Sequence, residues 1–416
     1  MSDYKVKDIA LAQQGRLNIE YAERNMPIML KIRERFKKKQ TFKGITIGLA
    51  LHVTKETAVL VRTLVAGGAT VAIASCNPLS TQDDVAAALA EEEISVYAKK
   101  GETKEEYYDY IERVIKQEPM ITIDDGCDLV TALHTKHKDK LKKVIGGCEE
   151  TTTGIIRLHA MEKDGVLEYP MIAVNDNKTK HLLDNYYGTG QSTIDGLLRA
   201  TNVLIAGKNF VVCGYGDCGK GVALRAAGMG ANVIVTEVDA FRAMKARLDG
   251  YYVIPIAEAA KIGDIFVTVT GDKHVINTKH IENMKDGALL ANSGHFDNEI
   301  DVSGMNKIWK KRRIRPFLEE YDVKGKKIYL CAEGRLVNLA AAEGHPSEVM
   351  ATSFAGQALA CEYLVENKGK LSAKVIRLPE ELDNKIAELQ LTAMGVKKDE
   401  LSKEQKEYLT SWEEGT

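Results

Sequence analysis

The clearest chemistry-bearing residues of this chain lie in a glycine-rich turn at mid-chain. An apolar run over residues 210–213 leads into Gly214-x-Gly216-x-x-Gly219, and a helical pattern follows it. Glu237 then ends a second apolar run, 18 residues after Gly219. This order of strand, turn, helix, strand and acid is the fingerprint of a dinucleotide-binding unit.

Each residue of this fingerprint has a physical role. Gly214 permits the tight turn, Gly216 lets the backbone approach a pyrophosphate, and Gly219 lets the helix pack against the strand. The helix N-terminus offers free N–H groups to the phosphates. Glu237 can accept hydrogen bonds from the adenosine ribose and would repel a 2′-phosphate, so the sequence predicts NAD rather than NADP. The alternative is a glycine-rich turn that binds no ligand.

A second group of polar residues precedes the fingerprint. Lys180 and Asp184 are four residues apart, so they share a face and can touch if the segment is helical. The spacing fits a solvated ion pair as well as a base and its orienting acid at a sugar hydroxyl. The neighbouring run of Thr151, Thr152 and Thr153 either begins an ordinary helix or binds the cofactor through its hydroxyls.

Three histidines are further candidates. His52 follows an apolar run, a position that is more typical of a core histidine. His295 follows a glycine, and His345 lies in a Gly-His-Pro turn, so both are expected in loops, where functional residues concentrate. The histidine spacing matches no metal-binding pattern and no Gly-x-Ser-x-Gly motif is present, so we predict neither a metal site nor a serine hydrolase.

The elements that would position these residues alternate between strand and helix along the chain. This alternation predicts an α/β fold with two doubly wound, Rossmann-like domains and a helical C-terminal arm. Before the fingerprint, strands are expected at residues 44–51, 70–76, 95–98, 120–124, 143–146 and 171–174. A capping box at residues 80–83 is expected to begin a helix.

The predicted organisation has four parts. They are a substrate-binding domain (1–185), an NAD-binding domain (186–345), a helical return to the first domain (346–390) and an arm (391–416). Ligands of open α/β sheets bind beyond the carboxyl ends of the strands. Two such edges facing each other would form a cleft that holds a substrate against a nicotinamide.

Composition narrows the class of protein. The 416 residues carry a net charge of −2, which gives no electrostatic case for nucleic acid or an anionic membrane. No apolar run is long enough to span a bilayer, and no signal sequence is apparent, so a cytoplasmic location is expected. The seven scattered cysteines contain no Cys-x-x-Cys pair, which argues against a zinc finger or a disulfide framework.

Several longer motifs together resemble the S-adenosylhomocysteine hydrolase family. They occur in the family's order at residues 51–57, 75–83, 149–154, 184–188, 214–221, 294–297 and 332–339. The resemblance implies that NAD stays bound and transiently oxidises C3′ of the substrate ribose. The resulting ketone acidifies the C4′ proton; homocysteine then leaves C5′, water adds, and reduction yields adenosine. It also implies a homotetramer.

The resemblance assigns roles residue by residue. The catalytic set is His52, Asp125, Glu150, Lys180, Asp184, Asn185 and His295. Substrate is bound by Thr54, Glu56, Asp125, Glu150, Lys180, Asp184 and His345, with Thr54, Glu56 and His345 at the adenine. The cofactor set is Thr151, Thr152, Thr153, Asn185, Gly214, Gly216, Asp217, Cys218, Gly219, Glu237, Thr270, Asn292, His295, Asn338 and His345.

Lys180 is expected to be the base for the 3′-hydroxyl. Its pKa must fall toward neutrality for this role, which burial and the NAD⁺ charge could bring about against the effect of Asp184. His52 and Asp125 are suited to proton transfer near C4′ and C5′, and the sequence leaves open which does which.

Two positions depart from the family pattern. Thr189 stands where the animal enzymes have cysteine, so a tuning role of that cysteine cannot be essential if this chain is active. Residues 411–416 lack the Lys- and Tyr-containing tail that reaches a neighbour's NAD, so weaker NAD retention is expected.

Three other functions remain open at this stage. An ordinary NAD-dependent dehydrogenase would accumulate NADH, whereas the family cycle has no net redox change. A non-catalytic, NAD-binding regulatory relative would tend to lack site residues that are present here. A hydrolase of the inosine thioether is the third, although Glu56 favours an amine donor and hence adenine.

Overall fold

The structure is a computed structural model that describes residues 3–413. Residues 1, 2 and 414–416, at the outer ends of the predicted first domain and arm, lie outside the described residues. Two separate sheets, each covered by helices, confirm the predicted α/β class. The fingerprint begins the second sheet.

The first sheet has seven strands in the order β15-β6-β5-β4-β1-β2-β3, and every pair is parallel. Its central strands are buried on both faces, as apolar parallel strands require. The strands are β1 (Thr46–Ala50), β2 (Thr70–Ala74), β3 (Ser95–Tyr97), β4 (Ile121–Asp124), β5 (Gly146–Glu149), β6 (Met171–Ala173) and β15 (Val375–Ile376). The helices between them are α1 (Ala12–Arg24), α2 (Pro27–Lys39), α3 (Lys55–Ala66), α4 (Asp83–Glu91), α5 (Lys104–Lys116), α6 (Asp128–Lys136), α7 (Thr152–Lys163) and α8 (Lys178–Lys180).

Two local predictions in this domain are wrong. The strand expected at residues 143–146 begins only at Gly146. Its first two residues are glycines because neighbouring side chains leave no room: a Cβ on Gly147 would lie 2.2 Å from the Thr122 hydroxyl oxygen. The capping box at residues 80–83 does not form. Helix α4 begins at Asp83, and the Ser80 hydroxyl bonds His52 instead.

The second sheet has eight strands in the order β12-β13-β14-β11-β10-β7-β8-β9. Strand β13 pairs antiparallel with both of its neighbours, β12 and β14, an extension that the predicted doubly wound pattern lacked. The strands are β7 (Asn209–Cys213), β8 (Asn232–Thr236), β9 (Tyr252–Val253), β10 (Ile265–Thr268), β11 (Leu289–Asn292), β12 (Lys311–Arg315), β13 (Leu318–Val323) and β14 (Lys326–Cys331). The helices are α9 (Thr189–Thr201), α10 (Asp217–Gly228), α11 (Ala240–Leu248), α12 (Ile256–Ile262), α13 (Thr278–Glu282), α14 (Val302–Ile308) and α15 (Val337–Ala340).

After the second sheet the chain returns to the first. Helix α16 (Ser347–Glu366) packs on α2, α3 and β5, and β15 pairs with β6. Glu362 of α16 also accepts hydrogen bonds from Arg35 on α2. Helix α17 (Glu380–Ala393) packs against α16. The first sheet is therefore built from both ends of the chain.

Two exposed segments carry apolar side chains. Helix α18 (Lys403–Thr410) buries no residue, and Leu409 and Trp412 are exposed. On α11, Phe241 and Leu248 are exposed as well. Within residues 3–413, no helix has both the length and the apolar character of a membrane span.

Candidate active site

The carboxyl ends of both sheets face one cavity of about 970 Å³. Residues that follow strands of the two sheets approach each other closely there. A Cβ added to Gly271, after β10, would lie 3.6 Å from the hydroxyl oxygen of Thr153, after β5. The predicted site residues that line the cavity are His52, Thr54, Glu56, Asp125, Glu150, Thr151, Thr152, Thr153, Lys180, Asp184, Asn185, Gly214, Gly216, Asp217, Cys218, Glu237, Thr270, His295, Asn338 and His345.

Gly219 and Asn292 do not line it. A Cβ on Gly219 would lie 2.0 Å from the Gly214 carbonyl oxygen, so this glycine serves helix packing. Asn292 is fully buried and bonds the backbone of Gly294, Phe296 and Gly334. It holds the loop that carries His295 in place.

Lys180 lies at the centre of a buried polar network. Its Nζ lies 2.8 Å from Asp184 Oδ2, 2.9 Å from Asn185 Oδ1 and 3.8 Å from Glu150 Oε1. Asp184 and Asn185 belong to a π-helical segment, His181–Gly188, a local irregularity common at functional sites. The second oxygen of Asp184 accepts a hydrogen bond from His345.

The charges of this network oppose the pKa expected for Lys180. Burial by itself lowers the pKa of Lys180, but Asp184 and Glu150 outweigh it, and the pKa lies above its ordinary value. Burial raises the pKa of Asp184, but His345 and Lys180 hold it below its ordinary value. Asp184 thus opposes the fall of the Lys180 pKa as expected, and the fall that a role as base requires stays a prediction.

Two residues of the returning helix α16 hold Glu150, and no sequence pattern pointed to either. Ser353 and Gln357 donate hydrogen bonds to the two oxygens of the carboxylate. Burial raises the pKa of Glu150 above its ordinary value, against the lowering effect of Lys180. Asp383 of α17 similarly accepts hydrogen bonds from the backbone of Lys178 and Thr179, at the start of the segment that carries Lys180.

A second group surrounds Asp125. His52 Nε2 lies 3.4 Å from one of its oxygens, and His295 Nδ1 lies 3.5 Å from the other. His52 Nδ1 lies 2.8 Å from the Ser80 hydroxyl, which orients the ring. Burial lowers the pKa of His52 to about 4 despite the nearby Asp125. His52 is therefore neutral near pH 7 and can accept a proton.

Glu149, the neighbour of Glu150, does not face the cavity. It is fully buried, and its Oε1 accepts hydrogen bonds from the backbone N–H groups of Gly126 and Thr151. Burial, followed by the charges of Asp124 and Asp125, raises the pKa of Glu149 well above its ordinary value. Glu149 therefore ties the loop after β4 to the loop after β5.

At its glycine-rich turn, the second sheet presents backbone to the cavity. Gly214 has a φ of +105°, which favours glycine at the turn. The space in front of Gly216 is open, because an added Cβ would meet nothing nearer than Arg242 Nη1 at 3.8 Å. No side chain caps helix α10. The loop therefore offers the open, N–H-lined cradle that a dinucleotide pyrophosphate needs.

Other groups at this edge also fit a dinucleotide. Glu237 lines the cavity, and its oxygens accept hydrogen bonds from the N–H groups of Tyr215, Val238 and Asp239. Asn338 is buried and donates to Ser192, while its Oδ1 has no partner among the described residues. An unpaired amide oxygen in this cavity suits a carboxamide donor such as that of nicotinamide.

The residues expected at the adenine all line the cavity. Thr54 caps α3, and Glu56 in its first turn accepts a hydrogen bond from Ser347 Oγ at 2.6 Å. His345 instead contacts Asp184, and its Nε2 lies 3.3 Å from the Thr189 hydroxyl. Thr189 also accepts a weak hydrogen bond from Cys218. Thr189 thus contacts His345 and Cys218, two predicted cofactor residues of the second domain.

Comparisons with known proteins agree with this architecture. Residues 3–145 match the model of the family described as S-adenosyl-L-homocysteine hydrolase, and residues 185–344 match that family's NAD binding domain. An adenosylhomocysteinase of Saccharolobus solfataricus is 61% identical over 99% of this chain and 100% of its own length. An S-inosyl-L-homocysteine hydrolase of Methanocaldococcus jannaschii is 58% identical over 99% and 100%. An adenosylhomocysteinase of Aquifex aeolicus is 58% identical over 100% of both chains.

Proposed function

This chain belongs to the S-adenosyl-L-homocysteine hydrolase family, and we propose that it reversibly hydrolyses S-adenosyl-L-homocysteine to adenosine and L-homocysteine. The observation that carries the proposal is the cavity that the carboxyl ends of the two sheets face. One wall offers a dinucleotide cradle at Gly216, and the other offers the buried Lys180 network. This is the arrangement that sugar oxidation by a bound nicotinamide requires.

The residues suited to hold NAD lie on the second sheet. The N–H groups at the start of α10 would take the pyrophosphate, Glu237 the adenosine ribose, and Asn338 the carboxamide. When bound, NAD supplies reversible oxidation of C3′, which makes elimination of a poor thioether leaving group possible. The chain's own residues manage the protons.

Lys180 is proposed to receive the 3′-hydroxyl proton. Its donors to Asp184 and Asn185 fix the Nζ position, and Glu150 and Asp184 can accept hydrogen bonds from ribose hydroxyls. For Lys180 to act as a base, its raised pKa must fall in the loaded enzyme, and a nearby positive charge would lower it.

The group around Asp125 is proposed to handle protons at C4′ and C5′. Neutral His52 can accept a proton, Asp125 lies beside it in the same wall, and His295 approaches Asp125 from the second sheet. Since both histidines lie within about 3.5 Å of Asp125, one group can move a proton while another stabilises the charge that forms. Elimination of the thiol and addition of water use such transfers in opposite directions.

Turnover without net redox change tests this function. The purified chain, carrying its NAD, is mixed with S-adenosyl-L-homocysteine, and adenosine, free thiol and absorbance at about 340 nm are recorded. Adenosine and thiol should form in equal amounts without lasting absorbance. Steady accumulation of NADH would indicate an ordinary dehydrogenase, and NAD binding without turnover would indicate a regulatory relative.

The inosine thioether is the second candidate substrate, since a relative of this length and similarity is named for it. We propose adenine as the preferred base. Glu56 is a buried carboxylate that lines the cavity and accepts a hydrogen bond from Ser347, so it suits an exocyclic amine and repels a carbonyl oxygen.

A substitution at this position tests the base preference. Glu56→Gln adds a donor that can face a carbonyl, so the ratio of kcat/KM for the adenosine over the inosine thioether should fall about tenfold or more. Glu343→Gln, at the exposed partner of Lys55, is the matched control and should leave the ratio unchanged. A wild-type preference for the inosine thioether would overturn the assignment.

Assembly and location remain proposals as well. We propose a cytoplasmic homotetramer that binds small molecules and neither nucleic acid nor membrane. The exposed apolar residues of α11 and α18 support subunit contacts, because such patches usually mark interaction surfaces. Native mass spectrometry would give the subunit number and the NAD content together. We also propose domain boundaries at residues 185, 345 and 390, on the basis of the alternation of strands and helices along the chain.

A further inference from the structure

Three side chains that are distant in sequence meet at the edge of the first sheet. His52 follows β1, Cys76 follows β2, and Asp125 follows β4, and β1 lies between the other two strands. One ligand atom from each residue lies within 4.8 Å of the other two. Among residues 3–413 this is the one group of three such side chains that close together. Sequence spacing gave no sign of it.

We propose that His52, Cys76 and Asp125 form an inhibitory binding site for a soft divalent cation of the Zn²⁺ type. One imidazole nitrogen, one thiolate and one carboxylate oxygen are a ligand set that Zn²⁺ accepts, and three protein ligands leave its fourth position open. Ligand atoms around Zn²⁺ lie roughly 3.5 Å apart. His52 Nε2 and Asp125 Oδ2 already lie 3.4 Å apart.

The surroundings hold the ligands in position. The Ser80 hydroxyl lies 2.8 Å from His52 Nδ1, so Nε2 is the nitrogen directed at Asp125. Such a contact to the second ring nitrogen is a regular feature of metal-binding histidines. His52 and Asp125 line the cavity, whereas Cys76 lies behind them and is only 7% exposed. An ion could therefore enter from the cavity, and its open position would face the substrate space.

Inhibition follows from the position of the site. The ion would take the free lone pair of His52 and a carboxylate oxygen of Asp125, the two groups proposed above to move protons at C4′ and C5′. This consequence rests on the proposed function, whereas the binding itself does not. The experiment below separates the two.

The binding test uses Co²⁺ as a spectroscopic probe for the NAD-loaded chain. Thiolate coordination should give a sulfur-to-cobalt charge-transfer band, and tetrahedral geometry should give intense visible bands, both saturating at one ion per chain. Cys76→Ser should abolish the charge-transfer band. Cys218→Ser is the matched control, because Cys218 is the cysteine that lines the cofactor side of the cavity, and it should retain the band.

Three results would overturn the site: no charge-transfer band, a band that survives in Cys76→Ser, or a band lost in Cys218→Ser. Cys76→Ala serves as a second variant if the serine variant fails to fold, as judged by circular dichroism and NAD content.

The inhibition test compares rates. Each variant is titrated with Zn²⁺ during thioether hydrolysis, and rates are expressed relative to its own metal-free rate. The half-inhibitory concentration should rise at least about tenfold in Cys76→Ser. An equal half-inhibitory Zn²⁺ concentration for the wild type and Cys76→Ser would contradict inhibition through this site. If the chain does not hydrolyse the thioether at all, the proposed function fails, and the Co²⁺ spectra still decide the metal site.

Discussion

The two walls of the cavity are built by different means. The first sheet contributes buried side chains that carry or share charge, such as Lys180 and Glu150. The second sheet contributes mainly backbone N–H groups and open space beside Gly216. Chemistry on a sugar needs titratable groups with shifted pKa values, whereas binding a dinucleotide needs a closely approachable backbone. The same type of sheet thus serves both needs at its carboxyl edge.

Both walls nevertheless use glutamates to hold loops. Glu149 accepts backbone hydrogen bonds from two loops of the first sheet, and Glu237 accepts three in the second. Glu299 does the same for Thr270 and Gly271. The difference lies in burial: Glu149 is fully buried with a raised pKa, whereas Glu237 faces the cavity. Glu149 acts as a buried brace, and Glu237 is also placed where a ligand could reach it.

The largest expected effect separates chemistry from cofactor binding. Lys180→Ala should slow 3′-oxidation by about 10²- to 10⁴-fold while NAD remains bound, because the base lies on the other wall from the cradle. Mixing the variant with adenosine and following absorbance at about 340 nm measures this step. Lys178→Ala, two residues away and exposed beside Glu380, should behave like the wild type. Near-normal oxidation in Lys180→Ala would refute its role as base.

The brace in the first wall gives the next prediction. Glu149→Ala should lower the free energy of unfolding by roughly 2–4 kcal/mol, because two buried N–H groups lose their acceptor. Glu149→Gln should cost less than about 1 kcal/mol, since an amide oxygen can replace that of a neutral acid. Urea unfolding measures both. A glutamine variant as unstable as the alanine variant would show that Glu149 is charged.

The corresponding substitution in the second wall, Glu237→Ala, should have a smaller effect. Glu237→Ala should weaken NAD binding by about 1–3 kcal/mol, through lost ribose hydrogen bonds and a looser Tyr215 backbone. Isothermal titration of the stripped protein gives the affinity. Glu258→Ala, an exposed glutamate of the same domain, should bind NAD normally. Unchanged affinity in Glu237→Ala would mean that the carboxylate does not contact the cofactor.

The smallest effect concerns pH. His52 has a folded pKa of about 4, below the unfolded value of 6.5, so the unfolded chain binds more protons between these values. His52 should therefore destabilise the fold as pH falls, by about 1 kcal/mol between pH 7 and pH 5.5. Comparing the pH dependence of the free energy of unfolding between the wild type and His52→Asn separates the contribution of His52 from those of the buried acids. Parallel stability curves would show that the pKa of His52 is the same in the folded and unfolded protein.

Local patterns in the sequence were sufficient for much of the fold. The fingerprint around Gly214 and Glu237 was readable because a strand, a turn and a helix N-terminus lie within a few tens of residues. Lys180 and Asp184 touch as their spacing predicted. The strand that begins at Gly146 was misplaced, because close packing between neighbouring strands there selects glycine over residues with high strand propensity.

Only the tertiary structure decided how the site residues are held and charged. Ser353 and Gln357 reach Glu150 across more than 200 positions, so no local pattern could connect them. The pKa of Lys180 depends on the balance between burial and the charges of two carboxylates. The different roles of the adjacent Glu149 and Glu150 likewise depend on which groups surround each carboxylate in the folded protein. Sequence fixes which groups are available. Distance and dielectric environment, which arise only on folding, determine the charge each group carries.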